Sequence, residues 1–413
     1  MKKVLLFFAI IAFTFHLNAQ ESEKKINVEI HGFVGVNATY DSRQSVTPRN
    51  GHIYLWPLPP NFDNAGNDLN DAANLDLDAS FSRFNIGVSG PDVWGAKSFA
   101  FMEGDFLGDK AQGNDLYFRL RHAFIRLTWE KSSLLAGQYW HPLFIPENFA
   151  SMVTVSVGSP YHPLNRQPMI RYGYKLTTNF EVIAYLMNQN DFGDRGMPGA
   201  EERGLRPEVD LQFKYKNNGF FAAFTAGYKS LKPALADPNN GLKTDELAQA
   251  GYVAGSIKQK FSKFTVKAEG IYGGAMSNLV MLGGFAEKNN GSEQRQYTPI
   301  NTLALWGDIQ SNHTKVQPGI FAGYTENLGA SENANYLSEY TLGGNIGKMY
   351  TVAPRIKFFA TPKVCLGVEW MYTVAGYAGK DDEGNYKFDE KAKPIDLEDY
   401  SNHRITTSLK YIF

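Results

Sequence analysis

From residue 25 onward the chain is written in segments whose apolar and polar side chains alternate, and the links between them alternate too, short and then long. In KINVEIHGFVGVNATYD, Ile26, Val28, Ile30, Val34, Val36, Ala38 and Tyr40 hold one parity; Lys25, Asn27, Glu29, His31, Asn37 and Asp41 largely hold the other. EVDLQFKYK sets Val209, Leu211, Phe213 and Tyr215 against Glu208, Asp210, Gln212, Lys214 and Lys216. KVCLGVEWMYTV sets Val364, Leu366, Val368, Trp370, Tyr372 and Val374 against Cys365, Gly367, Glu369 and Thr373. A period of two is that of a β-strand with one apolar and one polar face. At about ten to sixteen residues, these segments exceed most globular strands and suffice to cross a bilayer at a tilt.

About sixteen strands can be placed, an even number as bacterial barrels have. They lie near 25–41, 79–90, 96–107, 116–130, 133–141, 168–176, 178–188, 206–217, 219–230, 247–260, 263–275, 298–309, 314–325, 348–359, 363–376 and 402–413. Short links include GPDVWG (90–95), KS (131–132), NNG (217–219) and ATPK (360–363). Long ones include 42–78, 142–167, 189–205, 231–246, 276–297, 326–347 and 377–401. The expected fold is all-β: a transmembrane antiparallel β-barrel with short periplasmic turns and long extracellular loops. Closure follows because lipid offers no partner to an open strand edge.

Both termini agree. MKKVLLFFAIIAFTFHLNAQ has a basic start at Lys2 and Lys3, an apolar core from Val4 to Phe15 and a small-residue site ending at Ala19. It reads as a signal peptide over 1–19, leaving 20–413 as a barrel exported to a bacterial outer membrane. The single cysteine, Cys365, excludes an internal disulfide. In NHRITTSLKYIF, the alternation of Ile405, Leu409, Tyr411 and Phe413 runs to the final residue. By resemblance to outer-membrane barrels generally, Tyr411 and Phe413 form the assembly signal read by the barrel-insertion machinery. Basic and acidic residues number 41 and 42, a balance that gives nucleic-acid binding no support. No apolar run past the signal is long enough for a transmembrane helix.

Parity turns many cations inward, among them Arg83, Lys97, Arg171, Lys175, Lys214, Lys216, Lys229, Lys267, Arg355, Lys357, Arg404 and Lys410. The clearest inward acids are fewer: Glu29, Glu103, Asp105, Asp210, Glu269 and Glu369. A basic channel in a low-dielectric wall concentrates anions; alternatively these charges pair off and only hydrate the wall. Cys365 shares the inward parity. In LYFRLRHAFIRLTWEK the parity swaps after Ala123, which a β-bulge near His122 or contact with a neighbouring subunit would produce.

FMEGDFLG (101–108), LYFRLRHAFIRL (116–127) and LLAGQYWHPLF (134–144) resemble consecutive blocks of DcaP-like outer-membrane porins. The likeness is good over 100–175 and elsewhere is one of layout. It implies a homotrimer of sixteen-stranded channels, set in outer-membrane lipid and passing small anionic solutes such as dicarboxylates. The family's periplasmic helical extension has no counterpart here, where QESEK precedes the first strand. Segment 142–167, PLFIPENFASMVTVSVGSPYHPLNRQ, is too apolar for a loop in water. It is expected to fold into the barrel as a constriction, with Arg119, Arg121, Arg166 and Arg171 opposite Glu103 and Asp105; an external lid or subunit clasp is the alternative.

Other chemistry finds little footing. GGNIGKMY (343–350) lacks the spacing and Ser/Thr of a phosphate loop, and neither HExxH nor GxSxG occurs. His122, His141 and His162 could meet near the constriction, and the acidic loop 61–78 could take Ca²⁺, but the expectation is no metal, no cofactor and no catalysis. The expected function is passive diffusion of small hydrophilic, preferentially anionic solutes. A plugged barrel serving as adhesin or anchor, or an outer-membrane hydrolase, is the rival.

Overall fold

The computed structural model describes residues 26–108 and 117–413. The signal-peptide reading of 1–19 lies outside them. Sixteen long antiparallel strands close into a barrel. They are β1 (Asn27–Asp41), β2 (Arg83–Ser89), β3 (Lys97–Asp105), β4 (Arg119–Thr128), β5 (Ser132–Trp140), β6 (Arg166–Lys175), β7 (Phe180–Met187) and β8 (Glu208–Asn217), followed by β9 (Phe220–Leu231), β10 (Ala248–Lys260), β11 (Phe264–Gly274), β12 (Tyr297–Ser311), β13 (Val316–Ala330), β14 (Ile346–Thr361), β15 (Val364–Tyr377) and β16 (Glu398–Ile412). Each expected strand is present. The links alternate from 42–82 at one rim to 90–96 at the other, and so on round the barrel. Among the described residues no helix is long and apolar enough to cross a membrane.

Closure is made by β1, which pairs with β2 on one edge and with β16 on the other. The seam runs from Phe33↔Ile412 to Asp41↔Arg404 and is extended by reciprocal backbone bonds between Gly32 and Phe413 at 3.1 and 3.0 Å. Tyr411 points outward from it.

Alternation assigns the faces. On β8, Val209, Leu211 and Tyr215 are exposed, whereas Glu208, Asp210, Gln212 and Lys214 are buried. The pattern recurs on β1, β15 and β16, giving an apolar exterior around a charged interior. A soluble protein with that much exposed apolar surface would aggregate; an apolar outer band is what lipid requires.

The interior is not uniformly polar. Trp306, Phe321, Met349, Ala353 and Met371, inward on β12 to β15, pack in one apolar cluster with Leu342 of loop 331–345 and residues of three other long loops. These are Ile53–Trp56 from 42–82, Phe144, Met152 and Tyr161 from 141–165, and Val280 and Leu282 from 275–296. The apolar run Ile53–Trp56 was not anticipated from the sequence.

Cys365 lies on the inward face with Gly367 and Glu369, paired with Lys410 across the β15–β16 ladder. A membrane-impermeant anionic thiol reagent is expected to label it in the native barrel, and faster than a cationic reagent of equal size. Labelling by a lipid-soluble maleimide alone would place β15 one residue out of register, which turns every side chain to the other face.

Candidate functional site

The β3–β4 pairing slips between Glu103 and Gly104: Glu103 faces His122, Gly104 faces Leu120, and Arg121 is the extra residue. This β-bulge explains the swapped parity of the segment. Arg121 and His122 are both buried, while Phe118, Leu120 and Ile125 face outward. The bulge therefore turns Arg119, Arg121, His122, Phe124 and Arg126 to one side of a single strand. Bulges commonly re-aim side chains in this way beside functional sites.

Around that strand sits a cluster of guanidinium groups. Arg119 grips Asp105 through two bonds of 3.0 and 2.9 Å. Arg121 bonds Glu103 at 2.6 Å and Asp105 at 3.0 Å. Arg166 reaches Asp191 at 2.5 Å, and Arg49 reaches the same carboxylate at 3.0 Å. Burial alone would raise the pKa of Asp191, on loop 188–207; the guanidiniums of Arg166, Arg119 and Arg49 instead hold it below the usual carboxylate range. Rings support the cations: Arg166 lies 4.6 Å and Arg121 5.7 Å from the Trp140 centroid, and Arg126 lies 4.9 Å from that of Phe99.

The cluster forms one wall of a chamber of about 570 Å³. Arg83, Arg119, Arg121, Arg126, Arg166 and Lys410 line it, with Glu103 the only carboxylate among its described lining residues. Glu103 and Asp105 do not stand opposite the arginines; they share their wall and are paired with them. The facing wall is the segment 144–157, which presents Phe144, Pro146, Phe149, Met152, Val155 and Val157. Phe144 stacks on Trp140 at 3.7 Å and on Phe149 at 5.8 Å.

That segment is hung from the barrel by lysines. The carbonyls of Glu147, Phe149, Ser151 and Val153, every second residue along the segment, accept from Lys258 (2.5 Å), Lys267 (2.9 Å), Lys357 (2.7 Å) and Lys410 (3.3 Å) in turn. Those lysines stand on β10, β11, β14 and β16. Lys214 and Lys216 hold the Glu147 carboxylate at 3.2 and 2.8 Å, and Glu369 accepts from the Val153 amide at 2.9 Å. Parity had made such lysines lumenal attractors of anions; their ammonium groups instead serve the loop. Each charge-assisted bond of this kind is worth roughly 1.5–3 kcal/mol. Changing Lys267 and Lys357 together to methionine is expected to raise single-channel conductance and open-channel noise while moving the reversal potential little. Unchanged conductance with a shifted reversal potential would restore them as attractors.

The remaining expected site residues fall elsewhere. Arg171 does not join the arginine cluster. It lines an adjoining cavity of about 190 Å³ with Arg126, Glu147 and Lys214, its guanidinium 5.8 Å from the Tyr185 ring. Lys175 is exposed at the short-link rim, paired in register with Glu181. Arg355 is buried against Asp308 at 2.7 Å and lines neither cavity. His122, His141 and His162 each lie beside a different acid, Glu103, Glu208 and Glu269, at 4.0, 3.1 and 3.5 Å. In loop 61–78, Asp63 accepts from the amides of Ala65 and Asn67, and Asp68 pairs with Arg43. Among the described residues no group of three or more potential metal ligands forms. Arg49, Arg83 and Arg126 belong to the site but were absent from the expected constriction; a parity count carried through the bulge would have found Arg126.

No protein-family model matches the chain, and no curated protein matches it in sequence. Its fold, however, is that of solved outer-membrane channels. The outer membrane channel DcaP of Acinetobacter baumannii superposes with a TM-score of 0.68 at 15% identity, covering 96% of this chain and all (100%) of that one. An anion-selective porin from Comamonas acidovorans gives 0.55 at 10% identity, over 94% and 100% of the two chains. OmpT of Vibrio cholerae in its trimer form gives 0.53 at 10% identity, over 94% and 100%.

Proposed function

We propose that this chain, having the fold of the DcaP-like porins, is a passive outer-membrane channel with a preference for anionic solutes. One observation carries the preference: the chamber is lined by five arginines and, among its described residues, one carboxylate. Segment 141–165 narrows the lumen to that chamber, so a solute passes close to the arginines in a space where little bulk water screens them. At about 6 Å, unit charges interact by roughly 0.7 kcal/mol in water but near 3 kcal/mol at an effective dielectric of 20. The anion-selective and trimeric members among the similar folds support the same reading, with a homotrimer as the assembly. No cofactor and no catalytic residue is invoked.

The apolar cluster that fills the β12–β15 side of the lumen favours a second reading, a plugged barrel acting as an anchor. Planar-bilayer recording separates the two. A channel gives unit conductance steps and an anion-sided reversal potential in a potassium chloride gradient, whereas a plug gives no steps. A cation-sided potential would refute the proposed selectivity while leaving the channel standing.

A further inference from the structure

The two walls of the chamber differ in kind. On the β2–β6 side stand the arginines; facing them, segment 144–157 offers rings, a proline, a methionine, valines and a single hydroxyl, that of Thr154, with no charged side chain turned to the cavity. Its one carboxylate, Glu147, is turned away and held by Lys214 and Lys216. Apolar groups also reach the cationic side, where Phe99, Phe101 and Phe124 pack together with ring centroids 5.4 to 6.4 Å apart. A passage for small hydrated ions gains little from this, since a hydrated anion must shed water beside a wall that offers one hydroxyl and otherwise only apolar groups.

We infer that the chamber is a subsite for amphipathic organic anions, those carrying one acidic group on a flat apolar body of one or two rings. The inference rests on the channel reading above and deepens it. The acidic group would lie on the guanidinium side. Arg126 is the natural first contact, because it is half-buried, projects into both cavities, and has no ion pair among the described residues. The ring would slide between the stacked Trp140–Phe144–Phe149 series and the phenylalanines of β3 and β4, where offset stacking is available at every step. A volume of about 570 Å³ is within the usual range for small-molecule sites and admits a solute of this size. A small hydrophilic dianion would use the arginines alone and leave the facing wall unoccupied.

The test uses the full-length protein in planar bilayers, with sodium 2-naphthoate, benzoate and succinate added to a potassium chloride bath. Naphthoate is expected to interrupt the chloride current at about tenfold lower concentration than succinate, with benzoate between them; an uncharged naphthalene alcohol is expected to interrupt it far less than naphthoate. In Phe149→Ser and in Met152→Gln, the ratio of naphthoate to succinate potency is expected to fall severalfold. Succinate equal to or stronger than naphthoate, or a ratio unmoved in both variants, overturns the inference. Absence of any conductance would instead overturn the channel reading, so the two failures are distinct.

Discussion

Glutamate at both Arg83 and Arg126 is expected to carry the reversal potential in a salt gradient from the anion side to the cation side. The choice follows from what each arginine holds. Arg119 and Arg121 are locked to Asp105 and Glu103, and reversing them would crowd carboxylates in a buried site and disrupt β3 and β4. Arg83 has its nearest carboxylate at 3.9 Å, and Arg126 has none in an ion pair among the described residues. Both line the chamber. Each reversal exchanges an attraction of roughly 3 kcal/mol at 6 Å for a repulsion of similar size, before screening. Even a tenth of that per site changes ion preference severalfold. Lys175→Glu is the control: exposed at the rim, it is screened within about a Debye length of 8 Å and is expected to change little. Lys214 is no control, because it anchors Glu147. A double variant with an unmoved reversal potential would refute the assignment of selectivity to this wall. Should it not assemble, Arg126→Gln alone is expected to give a smaller shift of the same sign.

The barrel was legible because its rule is local. Period two, segment length and the short–long order of links each follow from a few consecutive residues, and lipid outside makes the apolar parity unambiguous for strands such as β1, β8 and β16. The interior was less legible, for two physical reasons. An inward methionine or tryptophan meets another apolar group whether its neighbour is lipid or an inserted loop, so Trp306, Phe321, Met349 and Met371 carry no mark of the cluster they form. A charged side chain likewise shows its face but not its partner. Lys267, Lys357 and Lys410 read as pore-lining charges, although their targets are carbonyls more than a hundred residues away in sequence. Arg121 and His122 show the limit most sharply. A parity swap announces that something changes at this point, but a bulge and a subunit contact write the same letters. One missed signal was readable: Ile53–Trp56 is an apolar run inside a long loop, and the reasoning applied to 142–167 applies to it equally.

The second large effect concerns closure. Asp41 on β1 and Arg404 on β16 face each other at the end of the seam, joined by two bonds of 2.8 and 2.6 Å, each side chain 4% exposed. Arg404 also donates to the Gly51 carbonyl at 3.1 Å and lies 4.6 Å from the Tyr54 ring, so the pair ties loop 42–82 to the wall. Asn402 adds a bond to Asp41 at 2.7 Å. Arg404→Met would strand the Asp41 carboxylate among buried groups, at a cost of about 3–5 kcal/mol. Barrels of this kind are judged by how slowly they unfold. If the pair is absent from the unfolding transition state, that cost accelerates unfolding by roughly 10²- to 10⁴-fold. The measurement is the rate at which the folded, fast-migrating band disappears on heating in detergent. The double variant Asp41→Leu with Arg404→Met is expected to recover most of the loss, because replacing a buried pair whole is far less costly than halving it. A single variant that unfolds at the native rate would remove the pair from the account of closure. A double variant no better than the single would mean that the arginine stabilises the seam through Gly51 and Tyr54, and not by neutralising Asp41.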